Sequence, residues 1–262
     1  AGRSAASLVH NFLAGALRPT SDAGAAGPAS APQLEPASAL EAAHELFLVE
    51  PALVLRALPI LQAELHSPDI QRRSLATRLI GRVLSHQPPV PAAPAAGPAE
   101  GEAKASLLET HPLLFDQYLE RYEDVADEVR LAALDAAPHL FAAAAGAGCH
   151  TITPTSTSAV VSLASAAARV RRQLAERGLD PSLAVRLRAV EVAAEAAGGS
   201  AAALELLAPA LPEIFRRALD RKALVREACV EAAAMLYKDC ALPALTQGSR
   251  AESLAWVPPL LC

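Results

Sequence analysis

The chain has 262 residues, 52% of them hydrophobic and only 3% aromatic, with a formal net charge of −5. That is close to the upper limit for one hydrophobic core, so either one large domain or a stack of repeated units is expected. The negative balance excludes bulk attraction to nucleic acid or an anionic membrane and leaves only local basic patches for such binding. No uninterrupted run of about 18 apolar residues is present, which argues against a membrane span.

In chain order, residues 1–50 read as leading helices, with a helical stretch over 8–13 and an Ala/Gly/Ser/Pro linker over 20–36. A second linker over 87–106 contains QPPVPAAPAAGPAEG, with prolines at 88, 89, 91, 94 and 98 that exclude a helix. A third segment, 146–158, is small, polar and Thr/Ser-rich, as expected of a surface loop, with phosphorylation as the sharper alternative. The first residue is Ala1, and the chain stops at Cys262 just after an apolar stretch, which is the expectation for a piece of a longer protein.

Between the linkers the sequence repeats. Aligned on Arg73, Arg130, Arg186 and Arg226, three of four segments place Val immediately before the arginine and Asp six residues before it: Asp124/Val129, Asp180/Val185 and Asp220/Val225. From each Val an apolar stripe follows at i+4, i+7 and i+11, one face of a helix. The stripes are Val129, Ala133, Ala136 and Leu140, then Val185, Ala189, Val192 and Ala196, then Val225, Cys229, Ala232 and Leu236. The first segment keeps Ala76, Leu79 and Val83 but has Arg72 in place of Val and Ser67 in place of Asp.

A second apolar helix is expected upstream of each turn, over 51–66, 111–123, 159–177 and 203–219. Pro59 and Pro212 fall inside the first and last of these and are expected to kink them. The units are therefore 51–86, 107–145, 159–198 and 199–242, with a further helical segment starting over 243–262. Neither helix of a pair can cover its apolar face alone, so the fold expected is all-α, a solenoid of stacked antiparallel helix pairs. Asp and Arg sit at the turns, where Asp124, Arg130, Asp180, Arg186, Asp220 and Arg226 are expected to form a ladder from the Arg of one unit to the Asp of its neighbour. Such bonds orient units more than they stabilise them.

Two basic regions stand out. Arg216, Arg217, Arg221 and Lys222 crowd the last turn, with Tyr237 and Lys238 one helix later. They are either a solvated edge or a partner-docking surface with arginines at the rim and Tyr237 as anchor. Arg169, Arg171, Arg172, Arg177 and Arg188 are either structural or a seat for a polyanion, such as an inositol phosphate or a DNA backbone. No aromatic residues interleave them as a single-strand binder requires.

Catalytic signals are missing. The seven histidines form no HExxH, no GxSxG or phosphate-binding glycine loop accompanies them, and Glu227 and Glu231 lie i,i+4 on a solvent face. The four cysteines, Cys149, Cys229, Cys240 and Cys262, have neither a CxxC pair nor zinc-site spacing and fit a reducing compartment. No enzyme activity, metal or cofactor is expected.

Pro212, Asp220, Val225 and Arg226 resemble the HEAT-repeat consensus at every position. Beyond the repeat, four strings resemble successive repeats of the precocious-dissociation-of-sisters family: ALPILQAELHSPDIQRRSLATRLIGRVLS from Ala57, FDQYLERYEDVADEVRLAALDAAPHLF from Phe115, LDPSLAVRLRAVEVAAEAA from Leu179 and RALDRKALVREACVEAAAMLYKDCAL from Arg217. The Trp256 segment is similar to a helix that follows the repeats in that family, although Pro258 and Pro259 are expected to stop it here. The resemblance implies a nuclear, chromatin-associated HEAT scaffold that binds the kleisin subunit of cohesin, works with the wings-apart-like releasing factor, and helps to maintain and release sister-chromatid cohesion. The alternative is an unrelated HEAT or armadillo scaffold of nuclear transport or phosphatase assembly.

Overall fold

The computed structural model describes residues 36–86, 107–146, 162–241 and 257. The linkers over 20–35 and 87–106, the helical stretch over 8–13, most of the 146–158 segment, and Trp256, Pro258 and Pro259 lie outside the described residues. Within them the chain is helical and no strand occurs. None of the described helices is long and apolar enough to cross a membrane.

Helix α1 (Pro36–Val49) precedes four units. The first contains α2 (Pro51–Leu55), α3 (Leu58–Glu64) and α4 (Ile70–Ser85); the second contains α5 (Leu107–Thr110), α6 (Pro112–Glu120), a 3-10 turn (Arg121–Glu123) and α7 (Asp127–Gly146). The third pairs α8 (Leu163–Arg177) with α9 (Leu183–Gly199). The fourth contains α10 (Ala201–Leu207), α11 (Leu211–Phe215), a 3-10 turn (Arg216–Leu219) and α12 (Ala223–Leu236), which runs into a π-helical turn (Tyr237–Ala241).

The second helices form one continuous layer, α1 on α4, α4 on α7, α7 on α9 and α9 on α12, while α8 packs on α10 and α11 in the other layer. This is an α-solenoid. Every residue of the predicted stripes is buried, including Ala76, Leu79 and Val83 of the divergent first unit. Each buried Leu or Val contributes on the order of 1.5–3 kcal/mol, and the neighbouring unit supplies the cover.

The first helices depart from expectation at the prolines. In place of a kink at Pro59 and Pro212, the helix stops and restarts: a turn at Arg56 and Ala57 separates α2 from α3, and Ala208 to Ala210 separate α10 from α11. Each proline then occupies the first turn of the restarted segment, where its missing N–H leaves no bond unmade. Its ring would strike the carbonyl of the residue four before it, Leu55 or Ala208, if the helix ran through. Leu55 is the last residue of α2, and Ala208 follows the last residue of α10.

Close approach of α4 and α7 depends on Gly81. A Cβ there would overlap the Ala136 Cβ and lie 3.0 Å from the Tyr118 ring. Tyr118 and its neighbour Tyr122 cannot yield, because both hydroxyls donate to the Ala133 carbonyl, at 2.8 and 2.9 Å. Ala is favoured over Gly in an open helix by about 1 kcal/mol. Gly81→Ala is nevertheless expected to lower the thermal unfolding midpoint, by the several degrees that an overpacking penalty of about 1–3 kcal/mol produces; a raised midpoint would contradict the packing described.

Candidate interaction surface

The inter-helix turns are built alike. Asp124, Asp180 and Asp220 each accept, through Oδ1, the backbone N–H two residues on, at 3.0 Å from Ala126, 2.9 Å from Ser182 and 2.9 Å from Lys222. Six residues after each Asp, the arginine of the same unit turns back. Nη1 of Arg130, Arg186 and Arg226 donates to the Asp124, Asp180 and Asp220 carbonyls at 2.7, 2.8 and 2.9 Å. Arg73 does the same to Ser67, at 2.6 Å.

The other edge of each guanidinium crosses to the next unit. Arg73 donates through Nε and Nη2 to both oxygens of Asp124, each at 3.1 Å. Arg130 reaches Asp180 at 2.9 and 2.8 Å, and Arg186 reaches Asp220 at 3.0 and 3.4 Å. Arg121 and Arg177 add a second cation to Asp124 and Asp180, both at 3.1 Å. The paired residues Arg73, Arg130, Arg186 and the three aspartates are all buried.

Ser67 shows why the first unit diverges without losing its turn. Its hydroxyl accepts from the Asp69 N–H at 3.3 Å, matching the local role of the aspartates, but a hydroxyl offers no carboxylate fork to a preceding arginine. At the other end, Arg226 is exposed, and among the described residues its guanidinium reaches only the Asp220 carbonyl.

Arg216, Arg221 and Lys222 are exposed on the last turn and Arg217 is half-buried. The structure does not bring Tyr237 and Lys238 beside them: the 14 residues of α12 intervene, about 21 Å at the ordinary helical rise. Tyr237 is half-buried and packs against the core, while Lys238 is exposed. The turn has apolar neighbours that sequence periodicity leaves unmarked, because they lie off the buried stripe: Leu219 is 88% exposed and Leu224 59%. Val125 and Leu179, each adjacent to a ladder aspartate, are also exposed, so the ladder edge presents an apolar side chain at successive turns.

The second basic region is internally committed. Arg169 pairs with Asp116 at 2.7 Å and lies over the Phe115 ring, and Arg171 donates to the Leu206 carbonyl at 2.7 Å. Arg172 pairs with Glu176, Arg177 with Asp180, and Arg188 with Asp135. Little uncommitted charge is left there for a polyanion.

Glu41, His44 and Glu45 on α1 bring their donor atoms within 4.8 Å of one another, the one convergence of metal-ligating types among the described residues. Glu41 is engaged by Arg82 at 2.6 Å, and that cation opposes a metal ion. Burial, reinforced by Arg82, holds the His44 pKa below its ordinary value. Cys229 is a buried free thiol whose pKa is pushed up to about 12 by desolvation, which makes it a core side chain and not a nucleophile. Cys240 is also a free thiol, half-buried, and Cys149 and Cys262 lie outside the described residues.

Stacked helix pairs keyed by an Arg–Asp ladder define a HEAT-type solenoid, a scaffold architecture. The chain belongs to the family described as sister chromatid cohesion protein PDS5 protein, whose model matches residues 7–261. No curated protein matches it. Among solved structures it is similar to a chain of the Pds5–Scc1 complex, with a TM-score of 0.56, 16% identity and 86% of this chain covered. The match spans only 28% of that longer chain, and at this identity it speaks to the fold. A designed armadillo repeat protein in complex with a (KR)4 peptide is also similar, at 14% identity and a TM-score of 0.42, with 97% of this chain and 99% of that one covered.

The ladder has a pH signature. Burial of Asp124 opposes its ionisation, but bonds from Arg73 and the Ala126 N–H outweigh it and hold its pKa below the ordinary carboxylate value. Asp220 is lowered against burial in the same way, by the Lys222 N–H and Arg186. A carboxylate depressed in the folded state contributes stability that is complete above its unfolded pKa of about 3.9 and is lost as pH falls through the folded value. The thermal midpoint should therefore be level above about pH 5 and fall below about pH 4, with a shallower acid slope in Asp124→Asn. An unchanged slope in that variant would remove Asp124 from the account.

Proposed function

We propose that this chain is a non-catalytic scaffold that binds the kleisin subunit of cohesin. Membership of the cohesion family supports the partner class, and one observation on the surface carries the site: Leu219 and Leu224 stand exposed among Arg216, Arg221 and Lys222 on a turn that the ladder holds rigid. Apolar side chains ringed by cations suit a segment that alternates acidic and apolar residues, with the charges steering approach and the apolar contacts holding it. Arg217 lies at the inner rim. An extended segment rising about 3.3 Å per residue needs about six residues to run from this turn to Tyr237 and Lys238, so one strand-like peptide can engage both.

In this reading the protein acts on chromatin in the nucleus, and with a wings-apart-like releasing factor it takes part in both maintenance and release of cohesion. An inositol phosphate or DNA backbone is a lesser partner, because the arginines from Arg169 to Arg188 already have internal acceptors.

Pull-down of a recombinant kleisin fragment tests the surface directly. Arg221→Glu combined with Tyr237→Ala is expected to reduce capture at least fivefold while the circular dichroism melt stays within a few degrees of wild type. Equal capture by both proteins would refute the proposed surface.

A further inference from the structure

A groove of about 560 Å³ opens between α9 and α12, on the helix-layer face and away from the ladder turns. Its floor is made of small side chains, Ala194 and Gly198 from α9 and Ala228 and Ala232 from α12. A Cβ added at Gly198 would meet nothing closer than the Leu236 side chain at 4.0 Å. Met235 forms one wall and is 61% exposed, an unusual position for a large flexible apolar side chain.

Four carboxylates surround this floor: Glu191 and Glu195 on α9, and Glu231 and Asp239 on the α12 side, with no basic side chain among the described lining residues. The α9 pair shares Arg188, at 3.2 and 3.7 Å, with Asp135, which lies 2.7 Å from the same guanidinium. Glu231 and Asp239 are exposed and form no ion pair among the described residues. Glu231, Met235 and Asp239 lie at i, i+4 and i+8, so carboxylate, thioether and carboxylate succeed one another along one face.

The same layer shows what this arrangement lacks. Toward the first units its charges alternate in sign and pair across helices, Glu41 with Arg82 at 2.6 Å and Asp135 with Arg78 at 3.5 Å. At the α9–α12 junction the alternation ends on Glu231 and Asp239, which form no ion pair among the described residues, beside an apolar floor.

We propose that this groove is a second docking surface, distinct from the basic turn, and that its occupant is a basic amphipathic helix of a protein partner. Such a helix inserts one large apolar side chain over Ala194, Ala228 and Ala232, against Met235. Lys or Arg residues one turn before and after the anchor then meet Glu231 and Asp239 on one wall and Glu191 and Glu195 on the other. The small floor makes room for the anchor, and Met235 adapts to its shape.

Met235 is also the only methionine in the chain, so methyl-labelled protein gives one resonance that reports from inside the groove. The probe is a synthetic helical peptide with Leu on one face and Lys at i−4 and i+4 of the central Leu. Added to the full chain, it is expected to shift the Met235 methyl resonance saturably. A peptide of identical composition with the apolar face scrambled is expected to bind at least tenfold more weakly. Glu231→Lys with Asp239→Lys should weaken the amphipathic peptide at least tenfold, and Glu231→Gln with Asp239→Asn should weaken it less. Arg221→Glu, on the turn proposed for the kleisin, should leave the titration unchanged, which separates failure of one surface from failure of the other. An unmoved resonance at millimolar peptide, equal binding of the scrambled peptide, or equal binding by the charge-reversed protein would each overturn the proposal.

Discussion

In each of the first three units one guanidinium does two jobs at once. Nη1 ties the arginine to the carbonyl that opens its own turn, while Nε and Nη2 fork onto the carboxylate of the next unit. Because that carboxylate also holds its own turn through the N–H two residues on, the bond locks one turn against the next. The charges are buried, so desolvation offsets much of their attraction. Their main effect is to orient the units: apolar stripes of Ala, Val and Leu tolerate sliding, whereas a bidentate fork has one register.

That constraint gives the molecule two kinds of surface. Along the turns, the exposed Val125, Leu179 and Leu219 sit beside ladder aspartates and are held at set intervals, an arrangement suited to an extended chain that touches successive units. Across the second-helix layer, grooves lie where neighbouring helices meet, and their lining depends on which small and charged residues face one another. The basic turn and the acidic groove belong to the same last junction of the described array, the first at its inter-helix turn and the second between α9 and α12.

The repeat was legible because its signals are local. Asp, Val and Arg fall within one turn and the first helical turn after it, and the stripe at i+4, i+7 and i+11 follows from helix geometry alone. Ser67 was legible as a substitution, although its retained bond to the Asp69 N–H was not, since that depends on turn geometry. At the prolines the structure differs from the expected kink: Pro59 and Pro212 start short helices and do not bend long ones, because the preceding residues leave the helix before the ring would clash. The role of Gly81, the Leu219–Leu224 patch and the acidic groove are properties of the folded chain alone. Each is created by contact between residues distant in sequence or by the exposure of positions off the stripe, which periodicity does not register. The placing of Tyr237 one helix after the basic turn was legible from sequence order, but the length of α12 that separates them was not.

A double-mutant cycle on Arg130 and Asp180 tests the ladder as the interaction that joins the units. Replacing either alone, as Arg130→Met or Asp180→Leu, leaves Asp180 with Arg177 as its one remaining cation among the described residues or the Arg130 guanidinium with backbone carbonyls alone, and is expected to destabilise the chain by about 3 kcal/mol in chemical denaturation. Replacing both should cost much less than the sum, with a coupling of about 2 kcal/mol or more. Additive single effects, within about 0.5 kcal/mol, would show that the two side chains do not act on one another and that the stack is held by its apolar faces alone.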